Sequence, residues 1–151
     1  EMCIRDSIYS YPGVDALAEL YIGDSNGNIK VIDANTGAEL WSFAGGQPIT
    51  GMALNNSHVY ITGNGFIKAI SRSEQGQVVN LAASGNIVAP PLLSPTTLLA
   101  VTSTGGMSFV DTATQAETVT QAGIASISHY ITNGPIIYID DGQSIHAFRS
   151  Q

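Results

Sequence analysis

The chain has 151 residues, of which 44% are hydrophobic and only 11% charged, and its formal net charge is -7. That length supports a domain with a real core, and so apolar a composition excludes a disordered acidic tail. With five Lys plus Arg there is no basic stripe for nucleic acid, and no apolar run is long enough to cross a bilayer as a helix.

The first seven residues, Glu1 to Ser7, resemble the in-frame translation of a transposase adapter used in sequencing libraries. They are set apart from the fold as a scar would be, and residues 8–151 are read as the domain. The only cysteine, Cys3, lies in that scar. The remainder therefore has no thiol nucleophile, disulfide or thiolate metal site.

From residue 8 the chain reads as short strands. An apolar segment, strand d, starts at Ile8, Ile49, Ile87 and Ile124. Pro12 and Pro91 fall inside two of its copies, which predicts an outer edge or a bulge. Strand a follows as Leu20-Tyr21-Ile22-Gly23, Val59-Tyr60-Ile61-Thr62, Leu99-Ala100-Val101-Thr102 and Ile137-Tyr138-Ile139-Asp140, at spacings of 39, 40 and 38 residues. Turn dipeptides come next: Asn26-Gly27, Asn64-Gly65, Gly105-Gly106 and Asp141-Gly142. They predict type I′ hairpins with positive φ at both central residues. Strand b is expected over Ile29–Asp33, Ile67–Ser71, Met107–Asp111 and Ile145–Arg149. Strand c is expected over Glu39–Ala44, Val78–Ala82 and Glu117–Gln121. Thr density and repeat phase favour strand over helix at 111–122.

A repeat of about forty residues carrying four strands is the signature of a β-propeller blade, and such blades bury their faces only against neighbours. The prediction is an all-β fold: about four four-stranded antiparallel blades forming an open arc, part of a larger ring.

The best-preserved copy runs from Leu20 to Trp41, with Asp33, Thr36-Gly37 and Trp41 at the order strand, Asp, Thr-Gly turn, Trp. It resembles the pyrroloquinoline-quinone-type propeller repeat, and the repeat phase extends the resemblance over residues 8–151. Asp33 is expected to accept amide hydrogen bonds within its turn, Gly37 to take the left-handed conformation, and Trp41 to offer a large flat surface. The resemblance implies that the Trp docks adjacent blades, making Asp33, Gly37 and Trp41 a structural motif. Later copies depart from it. Ser71, Gly76 and Asn80 stand in the second copy, and Asp111, Gln115 and Val119 in the third.

Within that family the rhythm, and an ending just after strand b at Ser144–Gln151, resemble the propeller lipoprotein of the bacterial outer-membrane β-barrel assembly machinery. This implies a non-catalytic protein-interaction scaffold, periplasmic and lipid-anchored to the outer membrane, with protein partners at its loops and N-terminal blades of its own chain beyond this segment. No enzyme activity and no cofactor are expected. Two alternatives remain: part of a quinone-dependent dehydrogenase, or a ligand-sensing cell-surface propeller.

No catalytic, cofactor or metal residue is singled out. Quinone-dependent dehydrogenases of this repeat family hold calcium and quinone with acidic and amide ligands and a stacking Trp, whereas the single Trp here takes the docking position. Asp140-Asp141 reads as a hairpin turn before Gly142. His58, His129 and His146 fall at different blade positions, so they do not converge as metal ligands must. Tyr21, Tyr60 and Tyr138 recur at one phase of strand a, as blade-packing residues would.

Overall fold

The computed structural model describes residues 18–24, 26–74, 78–81, 85–87, 90–94, 96–114, 116–121, 124, 127, 129–133 and 136–149. The adapter-like residues 1–7, the first strand d with Ile8 and Pro12, and Gly76, Gln115 and Ser128 lie outside them.

The described residues form strands and turns without a helix. The first sheet contains β1 (Glu19–Gly23), β2 (Asn28–Asp33) and β3 (Glu39–Ala44). The second contains β4 (Ile49–Leu54), β5 (His58–Gly63), β6 (Phe66–Ser71) and β7 (Val78–Leu81). The third contains β8 (Leu92–Leu93), β9 (Thr97–Val101), β10 (Gly106–Asp111) and β11 (Glu117–Gln121). The fourth contains β12 (His129–Asn133), β13 (Ile136–Asp140) and β14 (Ile145–Arg149). Within each sheet neighbours in sequence are neighbours in space, every pairing is antiparallel, and no sheet closes on itself. This is the expected open propeller arc. Strands a, b and c are observed at β1, β5, β9 and β13, at β2, β6, β10 and β14, and at β3, β7 and β11.

Pairing register sharpens the repeat. Glu19, His58, Thr97 and Ile136 each open strand a opposite the last residue of strand b: Asp33, Ser71, Asp111 and Arg149. These openings are 39 residues apart three times over (58−19, 97−58, 136−97). In the third sheet Leu99 therefore holds the phase of Tyr21, and Leu98 that of Leu20. The sequence alignment is one residue late there, because Leu98-Leu99 offers two equivalent apolar starts.

The hairpins depart from type I′. Gly27, Gly65, Gly105 and Gly142 have φ of +86°, +75°, +78° and +86°, while among the described residues Ala18 is the one non-glycine with positive φ. In the first and third sheets Asp24 N and Thr102 N donate to the oxygens of Asn28 and Gly106 (both 2.9 Å). Gly27 N and Gly105 N return to Asp24 O and Thr102 O (both 3.1 Å). This is a type I turn closed by a glycine bulge, which needs one left-handed residue rather than two. In the fourth sheet Gly142 leads a two-residue loop closed from Asp141 N to Ser144 O at 3.2 Å, a II′ arrangement.

Strand d is also re-placed. β4 starts at the expected Ile49, but Ile87 makes an isolated bridge to Thr102, ahead of the two-residue β8. β12 begins at His129, beyond Ile124. β4, β8 and β12 are edge strands of their sheets, and this is the edge on which neighbouring sheets converge. A Cβ on Gly51 of β4 would lie 2.2 Å from Pro90 Cα, and the hydroxyl of Tyr130 of β12 donates to Pro90 O. Pro91 is thus at an edge, as proline requires, but at the inner edge and not the outer one.

Three apolar cores lie between the four sheets. The first joins Tyr21, Ile29, Val31 and Trp41 to Ile49, Met52, Val59, Ile61 and Ile70. The second joins Tyr60, Ile67, Ala69 and Leu81 to Leu98, Ala100 and Val110. The third joins Leu99, Val101 and Met107 to Tyr130, Ile137 and Ile139. Strands sandwiched on both faces carry uninterrupted apolar runs: all of Val59–Gly63 is buried. Strand β14, in a terminal sheet, alternates exposed and half-buried residues.

Candidate functional site

The turn between β2 and β3 is built by its own sequence. One carboxylate oxygen of Asp33 accepts the amides of Asn35 (2.8 Å) and Thr36 (2.9 Å), and Gly37 N donates to Asp33 O at 2.8 Å with φ of +74°. The Thr36 and Asn35 amides hold the Asp33 carboxyl below its usual pKa. No atom lies within 4 Å of a Cβ placed on Gly37, so glycine is there for its conformation alone. Asp111 repeats the device with the amides of Ala113 (2.9 Å) and Thr114 (2.7 Å). In the second sheet the hydroxyl of Ser71 takes the Glu74 amide at 3.2 Å.

Trp41 stands four residues beyond Gly37, opposite Val31 on the face turned toward the second sheet, and is 9% exposed. It meets the Tyr21 ring edge-on, centroids 6.2 Å apart at 77°. Register also corrects its counterparts. The residue opposite Ala69, where Trp41 is opposite Val31, is Val79 and not Asn80, which lies exposed across from Lys68 on the other face. In the third sheet the corresponding position, opposite Phe109, is Thr118 and not Val119. The β-bulge between Val31 and Ile32 shifts the first strand c by one residue relative to the others.

Around Tyr21 the sheets share a polar cluster that sequence reading misses. The Arg72 guanidinium donates to Glu19 Oε2 at 2.6 Å and to Asn55 O at 2.9 Å, and sits 5.5 Å from the centroid of the Tyr21 ring. Tyr21 OH donates to the same Glu19 oxygen at 2.5 Å. The Arg72 and Glu19 side chains are 6% and 17% exposed. Burial, then the bond to Glu19, push the Tyr21 phenol well above its ordinary pKa. Arg72 and Asn55 belong to the second sheet and Glu19 and Tyr21 to the first, so one guanidinium bridges the two. A planar group with five donors suits that task. The available signal was position: Arg72 directly follows strand b, where the first and third copies have Ala34 and Thr112.

A second crossing lies nearby. Lys68 Nζ donates to Gly45 O, in the linker leaving the first sheet, at 3.1 Å, and rests 5.0 Å over the Phe66 ring.

The remaining candidates stay apart. His58 opens β5 beside Ser57 Oγ (2.9 Å). His129 opens β12, 3.8 Å from Asp140. His146 Nε2 lies 2.8 Å from Asp141 Oδ2. That histidine, with the amides of Gln143 and Ser144, lowers the Asp141 pKa to about 2. Asp140 accepts the Gly142 amide, so both acids serve the hairpin. Among the described residues no three His, Cys, Asp or Glu side chains gather into a metal-binding group.

The repeat of Asx turn, glycine and inter-sheet aromatic is matched by a family model described as the outer-membrane protein assembly factor BamB, over residues 25–151. The chain belongs to this family of pyrroloquinoline-quinone-type repeats. Among curated proteins no match is found. Solved structures share the fold. The chain is similar to the computationally designed Ika8 protein (TM-score 0.79, 17% identity), covering 95% of this chain and 46% of that one. It is similar to the computationally designed Ika4 protein (0.80, 16%), covering 97% and 93%. Hydrazine synthase of Kuenenia stuttgartiensis matches at 0.76 and 12%, covering 87% and 43%. The chain therefore spans a little under half of two of these solved chains. Family membership and these likenesses assign the fold.

Proposed function

We propose that residues 8–151 form part of a non-catalytic interaction propeller, a scaffold in bacterial outer-membrane protein assembly, with residues 1–7 outside the fold. The observation that carries this reading is the match of residues 25–151 to the BamB family model. The geometry supports it. The turn acids are engaged by their own turns: Asp24, Asp33, Asp111 and Asp141 each accept two or more hydrogen bonds from neighbours within five residues. These bonds make rigid loops, and rigid loops on a stable scaffold are a means of recognition. In this reading Asp33, Gly37 and Trp41 dock the first blade on the second, and further blades of the same chain lie N-terminal to this segment. The whole protein stands in the periplasm, lipid-anchored to the outer membrane, and meets barrel-assembly components at its rim.

The test has two arms on the full-length protein. Site-specific photo-crosslinkers in the hairpins at 24–27 and 102–105 should trap a component of the outer-membrane barrel assembly machinery. Titration with pyrroloquinoline quinone and calcium should give no saturable binding and no alcohol oxidation. Tight quinone binding with turnover would replace the scaffold by a dehydrogenase, and failure of every rim position to crosslink such a component would remove the assembly role.

A further inference from the structure

Each internal interface joins two kinds of face. One presents the residue at the Tyr21 phase: Tyr21, Tyr60 and Leu99 on the first three sheets. The other presents the residues on either side of that phase: Val59 and Ile61, Leu98 and Ala100, Ile137 and Ile139. The two end sheets leave one face of each kind unpartnered. The fourth sheet turns outward the face of Tyr138, in register with Tyr21 because Ile136 pairs Arg149 as Glu19 pairs Asp33. Ile131 and Ile145 flank it at 62% and 76% exposure, unusual for isoleucine. The first sheet turns outward Leu20, Ile22, Lys30 and Ile32, with Leu40 at its margin 45% exposed.

Lys30 marks what that face accepts. It pairs across from Ile22 as Lys68 pairs across from Ile61, and Lys68 reaches the linker carbonyl of the preceding sheet. Lys30 has the neighbouring Glu39 at 3.0 Å, with both side chains about half exposed. Beside it a recess of about 300 Å³, lined among others by Ile22, Asn28, Lys30 and Ser42, lies at the level where Lys68 meets Gly45 on the second sheet.

We propose that two copies of the 151-residue chain close a ring. The Tyr138 face of each copy docks on the Lys30 face of the other, and each Lys30 ammonium donates to a linker carbonyl or to Asp140 on the arriving sheet. Two observations select a second copy as the occupant. The free faces are the two complementary halves of an interface the molecule already makes three times. The arc also superposes on a solved chain of which it covers 46%, at a TM-score of 0.79, so it bends as half of a closed assembly and a second copy supplies the other half. A head-to-tail interface of this kind ends in a ring when its rotation closes and in an open fibre when it does not. The inference is independent of any assembly role.

Light scattering and native mass spectrometry of the chain decide it. The expected species is a dimer of the 15.8 kDa chain, with no larger polymer. Tyr138→Arg and Lys30→Glu should each weaken dimerisation by roughly tenfold or more, while Glu74→Lys on the rim leaves it unchanged. Far-UV circular dichroism confirms that each variant keeps its sheets. A tandem chain of two copies joined by a flexible linker, which does not depend on any substitution, should run as a monomer of the dimer's mass. A folded monomer at high micromolar concentration, open polymers, or a dimer indifferent to both substitutions would overturn the proposal.

Discussion

The first and second interfaces place different chemistry at equivalent positions. In the first, Tyr21 is edge-on to Trp41 and its hydroxyl meets Glu19 under the Arg72 guanidinium. In the second, Tyr60 holds the same phase, but Val79 stands where Trp41 did and Thr112 where Arg72 did. Asn55 Nδ2, 3.5 Å from the Tyr60 hydroxyl, and Thr112 supply its polar contacts. The aromatic body is what the two interfaces keep, because it provides most of the buried area. The hydroxyl needs only some partner, since a buried donor left unmet costs about 1–3 kcal/mol. A charged pair and a neutral amide both answer that need, so the repeat diverges there.

Trp41→Ala should show the largest effect, about 3–5 kcal/mol lost in denaturant unfolding. Val79→Ala, half-buried at the same register, should cost roughly 1 kcal/mol. Equal losses would mean that Trp41 contributes no more than an ordinary apolar residue.

Arg72→Met comes next. It strands the Glu19 carboxylate in a mostly buried place, and about 3 kcal/mol should be lost. Adding Glu19→Gln should recover most of that, because the stranded charge is then gone. Thermal melts of the single and double variants test this, and Thr112→Val at the second interface should stay below about 1 kcal/mol.

The hairpin glycines separate conformation from space. Gly27 and Gly65 share a left-handed φ, but a Cβ on Gly27 would lie 1.9 Å from Gln47 O, whereas nothing is within 4 Å at Gly65. Gly65→Ala should cost about 1–2 kcal/mol, the left-handed penalty alone. Gly27→Ala should cost clearly more, since the linker between the first two sheets has to move.

The smallest effect concerns pH. The Asp33 and Asp111 carboxyls are held below their unfolded pKa by turn amides, Thr36 and Thr114 first. Their contribution is therefore complete above an unfolded pKa of about 3.9. It fades as pH falls below that value toward the folded one. The melting-temperature gap between wild type and Asp33→Ala should shrink between pH 5 and the acid limit. Ser71→Ala, in the corresponding turn of the second sheet, should show a gap independent of pH, since its hydroxyl does not titrate there.

Much of this architecture was legible. Short apolar runs set between glycine and asparagine turns determine strands by length and period. Asp33, the left-handed Gly37 and their turn follow from local hydrogen bonding that needs no distant partner. What went astray was register. Two leucines at 98–99 and a bulge after Val31 each moved an alignment by one residue, which in a strand exchanges the two faces. That is why Asn80 was matched to Trp41 although Val79 holds its place.

The sequence by itself determined a four-stranded antiparallel repeat, its spacing of about 39 residues and the chemistry of its turns, because all of these are fixed by contacts within some twenty residues. Only the tertiary structure decided which edge is inner, which Tyr is sandwiched and which stands free, and that Arg72 belongs to Glu19, 53 positions away. Those outcomes depend on the neighbouring sheet. The strand-a segments around Tyr60 and Tyr138 read almost alike, yet Tyr60 is buried at 2% exposure between two sheets and Tyr138 faces outward on the last.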